Sequence, residues 1–253
     1  MDERRISFAV KDLSVDFNGF KAVNGMNLSV YKGELRVLLG ANGAGKTTLM
    51  DLISGRTKST GGKVLLNDKE ITNWEEHLIS RAGIGRKFQI PNVFKELTVR
   101  QNFLIADCKE TRVLPNIVRG SHRELPDHIA RVVELTELYD FLGTEAATLS
   151  HGQTQWLEIG MLLVQNPDII LLDEPTAGMT AHETRKTAEI ITRLKGRHTI
   201  LVVEHDMAFV RSICETITVM HHGQNLAEGT VTEIENSAEV QAAYLGSAGI
   251  GHA

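Results

Sequence analysis

The stretch Gly40-Ala41-Asn42-Gly43-Ala44-Gly45-Lys46-Thr47-Thr48 decides the fold of this chain. Four residues separate its first glycine from its last, and a Lys-Thr pair follows, which is the pattern of a phosphate-binding loop. Residues 36–39 form a short, mostly apolar run typical of a buried strand, and residues 48–53 have helical periodicity. A glycine loop between a strand and a helix N-terminus points backbone N–H groups at one anion. We therefore expect the loop to bind the phosphates of a nucleotide.

The residues of this loop have separate predicted tasks. Gly43 and Gly45 allow the backbone to approach the phosphates closely. The Lys46 ammonium reaches the β- and γ-phosphates, and the Thr47 hydroxyl is a ligand for Mg²⁺. The process that the energy of the nucleotide drives has to be inferred from the rest of the chain.

Length, charge and cysteine content limit the possible functions. The 253 residues suffice for one large domain, and the net charge of −5 offers no basic field for a nucleic acid. Cys108 and Cys214 are outside any metal-ligand spacing, which favours free thiols in a reducing cytosol. The first residues do not resemble a secretory signal, and no stretch reaches the roughly 18 apolar residues of a membrane span. If the protein works at a membrane, we expect another chain to cross it.

The order of hydrophobic patterns predicts an α/β protein. Residues 6–35 alternate around Asn18-Gly19, which predicts an antiparallel hairpin with one exposed face. Helical spacing prevails from about 90 to 165 and ends in a long predicted helix, Gly152–Gln165. Strands then alternate with helices to about residue 230, which predicts a doubly wound parallel sheet. The long helix is expected to bury Trp156, Ile159, Leu162 and Leu163.

Two acids follow the predicted strand at 169–172. Because parallel strands deliver their carboxyl ends to one edge of a sheet, Asp173 and Glu174 are expected beside the phosphate loop. Asp173 can hold Mg²⁺ through water, and Glu174 can take the proton from the attacking water or orient it. His205 follows the next strand and is expected at the same edge, where it stabilises charge at the γ-phosphate. The pair His221-His222 is interpreted as a turn and not as a metal site.

A second anion site is predicted at Leu149-Ser150-His151-Gly152-Gln153. Ser150 suits the N-cap of the long helix, and that role alone would explain it. The same geometry also presents a hydroxyl, backbone N–H groups and a positive helix end to an anion. A single nucleotide site would need two phosphate-binding segments only if the two segments come from different molecules.

In this order and spacing, the motifs resemble those of an ATP-binding cassette (ABC) ATPase over nearly the whole chain. The resemblance rests on residues 40–48, Gln89, 149–153, 169–174 and His205. It implies an α/β P-loop NTPase fold with a RecA-like parallel sheet core, an N-terminal antiparallel β subdomain and an inserted helical subdomain. Within one domain, 1–253, the expected parts are the β subdomain (1–35 and 61–72), the catalytic core (36–60, 73–89 and 166–230), the helical subdomain (90–165) and a C-terminal helical tail (231–253).

The resemblance also implies a role for each motif in the hydrolysis of ATP with Mg²⁺. Catalytic roles are expected for Lys46, Glu174 and His205. Phe17 is expected to stack on adenine, because residues 17–23 fit the aromatic loop of the family; a plain β-core residue is the alternative. ATP contacts are expected from Phe17, Gly40, Ala41, Asn42, Gly43, Ala44, Gly45, Lys46, Thr47, Thr48 and Gln89, and Mg²⁺ contacts from Thr47, Gln89 and Asp173. Leu149, Ser150, His151, Gly152 and Gln153 are expected to act on the ATP of a second cassette, chiefly through Ser150 and Gly152.

The partners implied by the family are a second ABC ATPase subunit and transmembrane permease subunits. The two cassettes, identical or different, form a dimer with two ATP molecules between them. Gln89 corresponds to the family's mobile glutamine, and residues 88–98 to the surface on which a permease docks. A solute-binding protein acts indirectly, and no nucleic acid is expected. The implied location is peripheral, on the cytoplasmic face of the inner or plasma membrane.

Within the family, the chain is similar to cassettes of the branched-chain amino acid and urea importers. Residues 88–99, 177–179 and 243–246 resemble that group as a whole, and residues 149–161 most resemble its urea-uptake ATPase subunit. Two positions depart from the family pattern. His151 replaces a glycine, and Thr180 stands where many cassettes carry Asp. The second change puts in doubt the usual link from this loop to the opposite site, so a mixed dimer is one hypothesis.

Other readings of the phosphate loop are possible. A lipid or lipopolysaccharide-extracting ABC ATPase shares several of these features. A non-transport ABC protein acting on DNA or ribosomes would need a second cassette or long coiled coils, and this chain has neither. A small kinase or GTPase has no use for residues 149–153. The first hypothesis is therefore an ATPase that powers import.

Overall fold

The computed structural model describes residues 5–87, 92–108, 124–214 and 216–245. The chain divides into two compact units. The first comprises Met1–Arg86, Asp168–Glu174 and Ile191–Ala253, and the second comprises Lys87–Pro167 and Pro175–Ile190. Segments that are distant in sequence therefore build each unit.

An antiparallel sheet of four strands forms one layer of the first unit. Its strands are β1 (Ile6–Phe17), β2 (Phe20–Tyr31), β4 (Gly61–Leu66) and β5 (Lys69–Glu70), in the order β2-β1-β4-β5. Asn18 and Gly19 join β1 to β2, and both have positive φ, as a type I′ hairpin requires. The predicted hairpin is confirmed.

A second sheet of six strands carries the candidate site. Its strands are β3 (Leu35–Leu39), β6 (Ile84–Lys87), β7 (Ile169–Asp173), β8 (Thr199–Glu204), β9 (Thr216–His221) and β10 (Gln224–Gly229), in the order β10-β9-β3-β8-β7-β6. Strands β9, β3, β8 and β7 pair in parallel. Strands β3, β7 and β8 are buried along their whole length, and most of their residues are apolar.

Strand β10 adds an antiparallel edge that the predicted parallel sheet did not contain. It pairs with β9 after the turn at His222-Gly223. Its residues are exposed or half-buried, as is usual for an edge. The sequence Gln-Asn-Leu-Ala-Glu-Gly has low β propensity, so only its pairing with β9 makes it a strand.

One hydrophobic cluster lies between the two sheets of the first unit and the helix α1 (Lys46–Ile53). Leu38 on β3, Leu49 on α1 and Leu201 on β8 are at most 1% exposed. Burying a leucine side chain contributes about 2 kcal/mol. Since α1 begins within the phosphate loop, this packing also holds the loop in place. The remaining helices of this unit are α2 (Glu76–Arg81), α7 (Met207–Ile213), α8 (Val231–Asn236) and α9 (Ala238–Leu245).

Helices build the second unit. They are α3 (Val99–Ala106), α4 (Asp127–Thr136), α5 (His151–Val164) and the first part of α6 (Ala181–Leu194). The four apolar side chains predicted to be buried on α5 are buried. Gly160 on α5 packs against Phe103 on α3. A Cβ at this position would lie 2.6 Å from the Phe103 ring, so a larger residue does not fit. None of the helices in the described part of the chain combines the length and the hydropathy that a membrane span requires.

Candidate active site

The phosphate loop leaves the buried strand β3 and enters α1 at Lys46, as the sequence predicts. The Ala44 N–H donates to Ala41 O at 3.1 Å and closes a turn within the loop. Gly45 has a φ of 100°, and a Cβ on it would collide with Ala22 O. Only glycine suits this position, because it tolerates both the backbone conformation and the close approach of another strand.

The Lys46 side chain lies back over the loop. Its Nζ donates to Gly40 O at 2.7 Å and to Ala41 O at 3.0 Å. Burial lowers the pKa of Lys46, while the carboxylates of Glu174 and Asp173 oppose this shift. The loop therefore holds a largely buried ammonium beside acidic groups, which is the electrostatic setting that a polyphosphate with a cation needs.

The two acids lie at the carboxyl end of β7, which pairs in parallel with β8. Strand β7 ends at Asp173, whose register partner on β8 is Val203. The Glu174 N–H donates to Val203 O at 3.0 Å. Glu174 has a φ of 45°, a left-handed conformation that is costly for a residue with a side chain and often marks a functional site.

His205 lies next to Glu174, at the edge of the sheet where the sequence predicts both residues. Its Nδ1 is 3.5 Å from Glu174 Oε1 and 3.9 Å from Glu204 Oε2. The His205 side chain is 57% exposed, whereas that of Glu174 is 21% exposed. The imidazole is thus accessible to a ligand while the carboxylate stays partly shielded from water.

Arg86 is a member of this site to which the sequence analysis assigned no role. Its Nη2 donates to Asp173 Oδ2 at 3.1 Å, and its Nη1 donates to Asp51 Oδ1 at 2.6 Å and to Ser54 Oγ at 2.8 Å. Burial raises the pKa of Asp173, and the Arg86 guanidinium counteracts that shift. A basic residue inside the short strand Ile84–Lys87 was the only signal in the sequence, and it does not identify the partner.

Phe17 lies at the exposed end of the β1–β2 hairpin. It is the cross-strand partner of Phe20 and is 48% exposed. The alternative of a plain β-core residue therefore does not hold. Gln89, by contrast, lies outside the described residues.

In the second unit, Ser150 caps α5. Its Oγ accepts from the Gln153 N–H at 3.2 Å, while Gln153 Oε1 accepts from the Ser150 N–H at 2.9 Å, which is a complete capping box. His151, which replaces a glycine, has its Nε2 at 2.9 Å from Ala177 O. The departure from the family pattern thus links the start of α5 to the loop before α6.

A carboxylate also lies against the start of α5. Glu183 Oε1 accepts from Ser150 Oγ and from the Gly152 N–H, each at 3.2 Å. Its Oε2 accepts from the N–H and the hydroxyl of Thr180, each at 2.9 Å. The spacing Thr180-x-x-Glu183 is the signal of a capping box, but it does not predict the bonds to α5.

A buried ion pair supports the beginning of the second unit. Lys87 Nζ is 3.5 Å from Glu158 Oε2, and their side chains are 0% and 8% exposed. The Asn92 N–H donates to Glu158 Oε1 at 3.0 Å. Burial raises the pKa of Glu158, against the effect of Lys87. This pair was not predicted, since the two residues are far apart in the sequence.

The chain matches known proteins over nearly its whole length. The profile of the ABC transporter family matches residues 23–177. The high-affinity branched-chain amino acid transport ATP-binding protein BraF of Pseudomonas aeruginosa is 38% identical over 248 residues, covering 94% of this chain and 97% of that protein. The corresponding protein LivG of Escherichia coli is 37% identical over 250 residues, covering 95% and 98%.

Solved structures agree with this assignment. The ADP conformation of MJ1267, an ATP-binding cassette of an ABC transporter, superposes with a TM-score of 0.83 at 30% identity, covering 95% of this chain and 99% of that one. A nucleotide-free cassette gives a TM-score of 0.80 at 30% identity, covering 98% and 100%. The predicted α/β cassette fold is confirmed. The chain belongs to the ABC transporter family, in which it is an ATP-binding subunit with ATPase activity.

Proposed function

We propose that this ATPase powers the import of branched-chain amino acids through a membrane permease. The observation that carries the proposal is the 38% identity to BraF over 94% of this chain. The relatives described above are named for branched-chain amino acid transport, and none is named for lipid or lipopolysaccharide extraction. We therefore retain the importer and set the extracting ATPase aside.

In this proposal, the site of the first unit binds and cleaves the triphosphate. Lys46 turns from the loop carbonyls to the β- and γ-phosphates, a charge-assisted contact. Glu174 accepts the proton of the attacking water, or orients it, and its shielded carboxylate suits that role. His205, 3.5 Å from Glu174, holds the γ-phosphate from the exposed side. Phe17 offers an exposed ring for stacking on adenine.

The donor set of this site suits Mg²⁺. A hydroxyl, a carboxylate and a side-chain amide are oxygen ligands of the kind that a hard cation prefers. Thr47, Asp173 and Gln89 would hold the ion, with Asp173 kept in place by Arg86 at 3.1 Å. When bound, Mg²⁺ offsets the negative charge of the phosphates.

We further propose that hydrolysis takes place in a dimer, with residues 149–153 of one chain completing the phosphate site of the other. Ser150 and Gly152 contact the γ-phosphate in this arrangement, and Leu149, His151 and Gln153 shape the segment around them. The second subunit is a copy of this chain or a different cassette. Thr180 in place of the usual Asp favours the different cassette.

The proposed assembly places the chain at the cytoplasmic face of the membrane as a peripheral subunit. Residues 88–98, of which 92–98 are described, form the docking segment for the permease. Lys87 and Asn92, on either side of Gln89 in the sequence, both contact Glu158. A solute-binding protein takes part only indirectly, through the permease.

Urea is the second candidate cargo. It is favoured by residues 149–161, which most resemble the urea-uptake ATPase subunit of this group. Vesicles containing the cassettes and permeases with internal ATP would distinguish the cargoes. Uptake of labelled leucine with no uptake of urea is expected, and the reverse result would replace the first cargo by the second.

The dimer and the role of Glu174 are tested together by Glu174→Gln. This variant is expected to slow ATP hydrolysis roughly 10²–10⁴-fold, because the general base is lost. It should also trap an ATP-dependent dimer, visible by sedimentation. Glu76→Gln, at an exposed glutamate on α2, is the matched control and should remain active. A fast, monomeric E174Q variant would contradict the proposal.

A further inference from the structure

The proposed function assigns no role to the Glu183 carboxylate, which lies against the start of α5. Its Oε1 accepts from Ser150 Oγ and from the Gly152 N–H, both at 3.2 Å. These are the two groups that the proposed dimer assigns to the γ-phosphate of the partner's ATP. In the isolated chain, both donors are therefore already directed at an anion of this chain.

Glu183 has the right charge for such a contact. Besides the two bonds to α5, its Oε2 accepts two bonds from Thr180, each at 2.9 Å. The N–H of Thr180 is the largest cause of the lowered pKa of Glu183, and Ser150 and Gly152 add to it. A carboxylate that accepts four hydrogen bonds stays ionised at neutral pH.

The carboxylate and a phosphate cannot use these donors at once. The Ser150 hydroxyl carries a single proton, and so does the Gly152 amide. Glu183 also lies so close to Gly152 that a Cβ there would collide with its carboxylate. A phosphate on the same donors would bring two anions into contact, so one of them has to leave.

We propose that the Glu183 carboxylate is an internal competitor of ATP, which occupies the anion site of Ser150 and Gly152 until the partner's ATP displaces it. This inference rests on the proposed dimer. Only the two hydrogen bonds of Oε1 have to break, because the bonds of Oε2 to Thr180 maintain the cap of α6. Each cassette thus closes on ATP against a competing internal carboxylate, which raises the ATP concentration needed for dimer formation.

The test is Glu183→Gln in the hydrolysis-deficient Glu174→Gln chain. Glutamine has the same size and also serves in capping boxes, so α6 keeps its cap while the charge is removed. Sedimentation as a function of ATP concentration measures the half-maximal ATP for dimer formation. We expect this concentration to fall about fivefold, as for the loss of one partly exposed charge contact.

The control is Glu189→Gln in the same background, an exposed glutamate six residues further along α6. It removes the same charge and is expected to leave the half-maximal ATP unchanged. If E183Q does not fold, Glu183→Asp takes its place, because a side chain shorter by one methylene does not span Thr180 and Gly152. We expect the same decrease from it.

The possible outcomes separate the two proposals. A decrease with E183Q but not with E189Q supports the displacement of Glu183. Equal values for the two variants overturn this inference and leave the proposed function intact. If the E174Q chain remains monomeric at every ATP concentration, the dimer of two copies of this chain fails, and the role of Glu183 in such a dimer fails with it.

Discussion

The phosphate-loop region of the first unit and the start of α5 in the second unit are the two proposed anion sites, and they are built differently. The first uses buried charges: Lys46 and Asp173 are 6% and 2% exposed. The second uses the surface hydroxyls of Ser150 and Thr180 together with helix-end N–H groups. A buried charge is fixed by its partners, because leaving it unpaired is costly. Exposed hydrogen bonds exchange partners at little cost, since water replaces them. The first region is thus suited to chemistry and the second to reversible contact.

The largest effect of a substitution is expected on ATP binding, when the buried ammonium of the first region is removed. Lys46→Ala should weaken ATP binding on the order of 10³-fold, because two charge-assisted phosphate contacts are lost. Isothermal titration of the monomer with ATP measures this. Lys58→Ala, at a half-exposed lysine of the same unit, is the control. A tenfold loss or less would mean that the backbone of the loop, and not Lys46, dominates binding.

The second largest effect is expected on stability, when the ion pair between Arg86 and Asp173 is removed. Arg86→Met should lower the free energy of unfolding by about 3 kcal/mol, because a buried carboxylate loses its cation. Urea unfolding at neutral pH measures it, with Arg81→Met on the exposed face of α2 as the control. If both variants unfold at the same urea concentration, the Arg86–Asp173 pair does not stabilise the first region.

The two cysteines also differ in burial, one in each unit. Burial raises the pKa of the Cys214 thiol in the first unit to about 11, whereas Cys108 in the second unit is exposed. A pKa higher by two units lowers the thiolate population at pH 8 about 100-fold. Because Cys214 is also shielded from reagents while Cys108 is exposed, we expect a thiol reagent to modify Cys108 much faster than Cys214. Equal rates in the folded protein would contradict the burial of Cys214.

The smallest effect is expected at the exposed second region. The pKa of Glu183 lies below its ordinary value of 4.5, so its contribution to stability is present above that pH and is lost as the pH falls through the folded value. The contribution should be below about 1 kcal/mol because the group is only partly buried. E183Q should therefore show a weaker acid dependence of its unfolding midpoint than wild type and E189Q. An unchanged acid dependence would mean that Glu183 gains nothing from its four donors.

Local patterns predicted most of the fold and of the first region. The phosphate loop, the apolar strands and the turn at Asn18-Gly19 are encoded within a few residues, so their structure follows from spacing alone. Glu174 and His205 were predicted at one edge of the sheet because the carboxyl ends of parallel strands share that edge. The edge strand β10 was missed, since its residues favour a strand only when β9 is beside them.

By itself, the sequence determined which residues are chemically suited to bind a triphosphate, because loop glycines, a lysine and strand-end acids act over short distances along the chain. Only the tertiary structure decided how these charges are balanced. Arg86 meets Asp173 across 87 residues, and Glu183 meets Ser150 across 33. Such partners are selected by the packing of whole elements, and no local pattern contains that information.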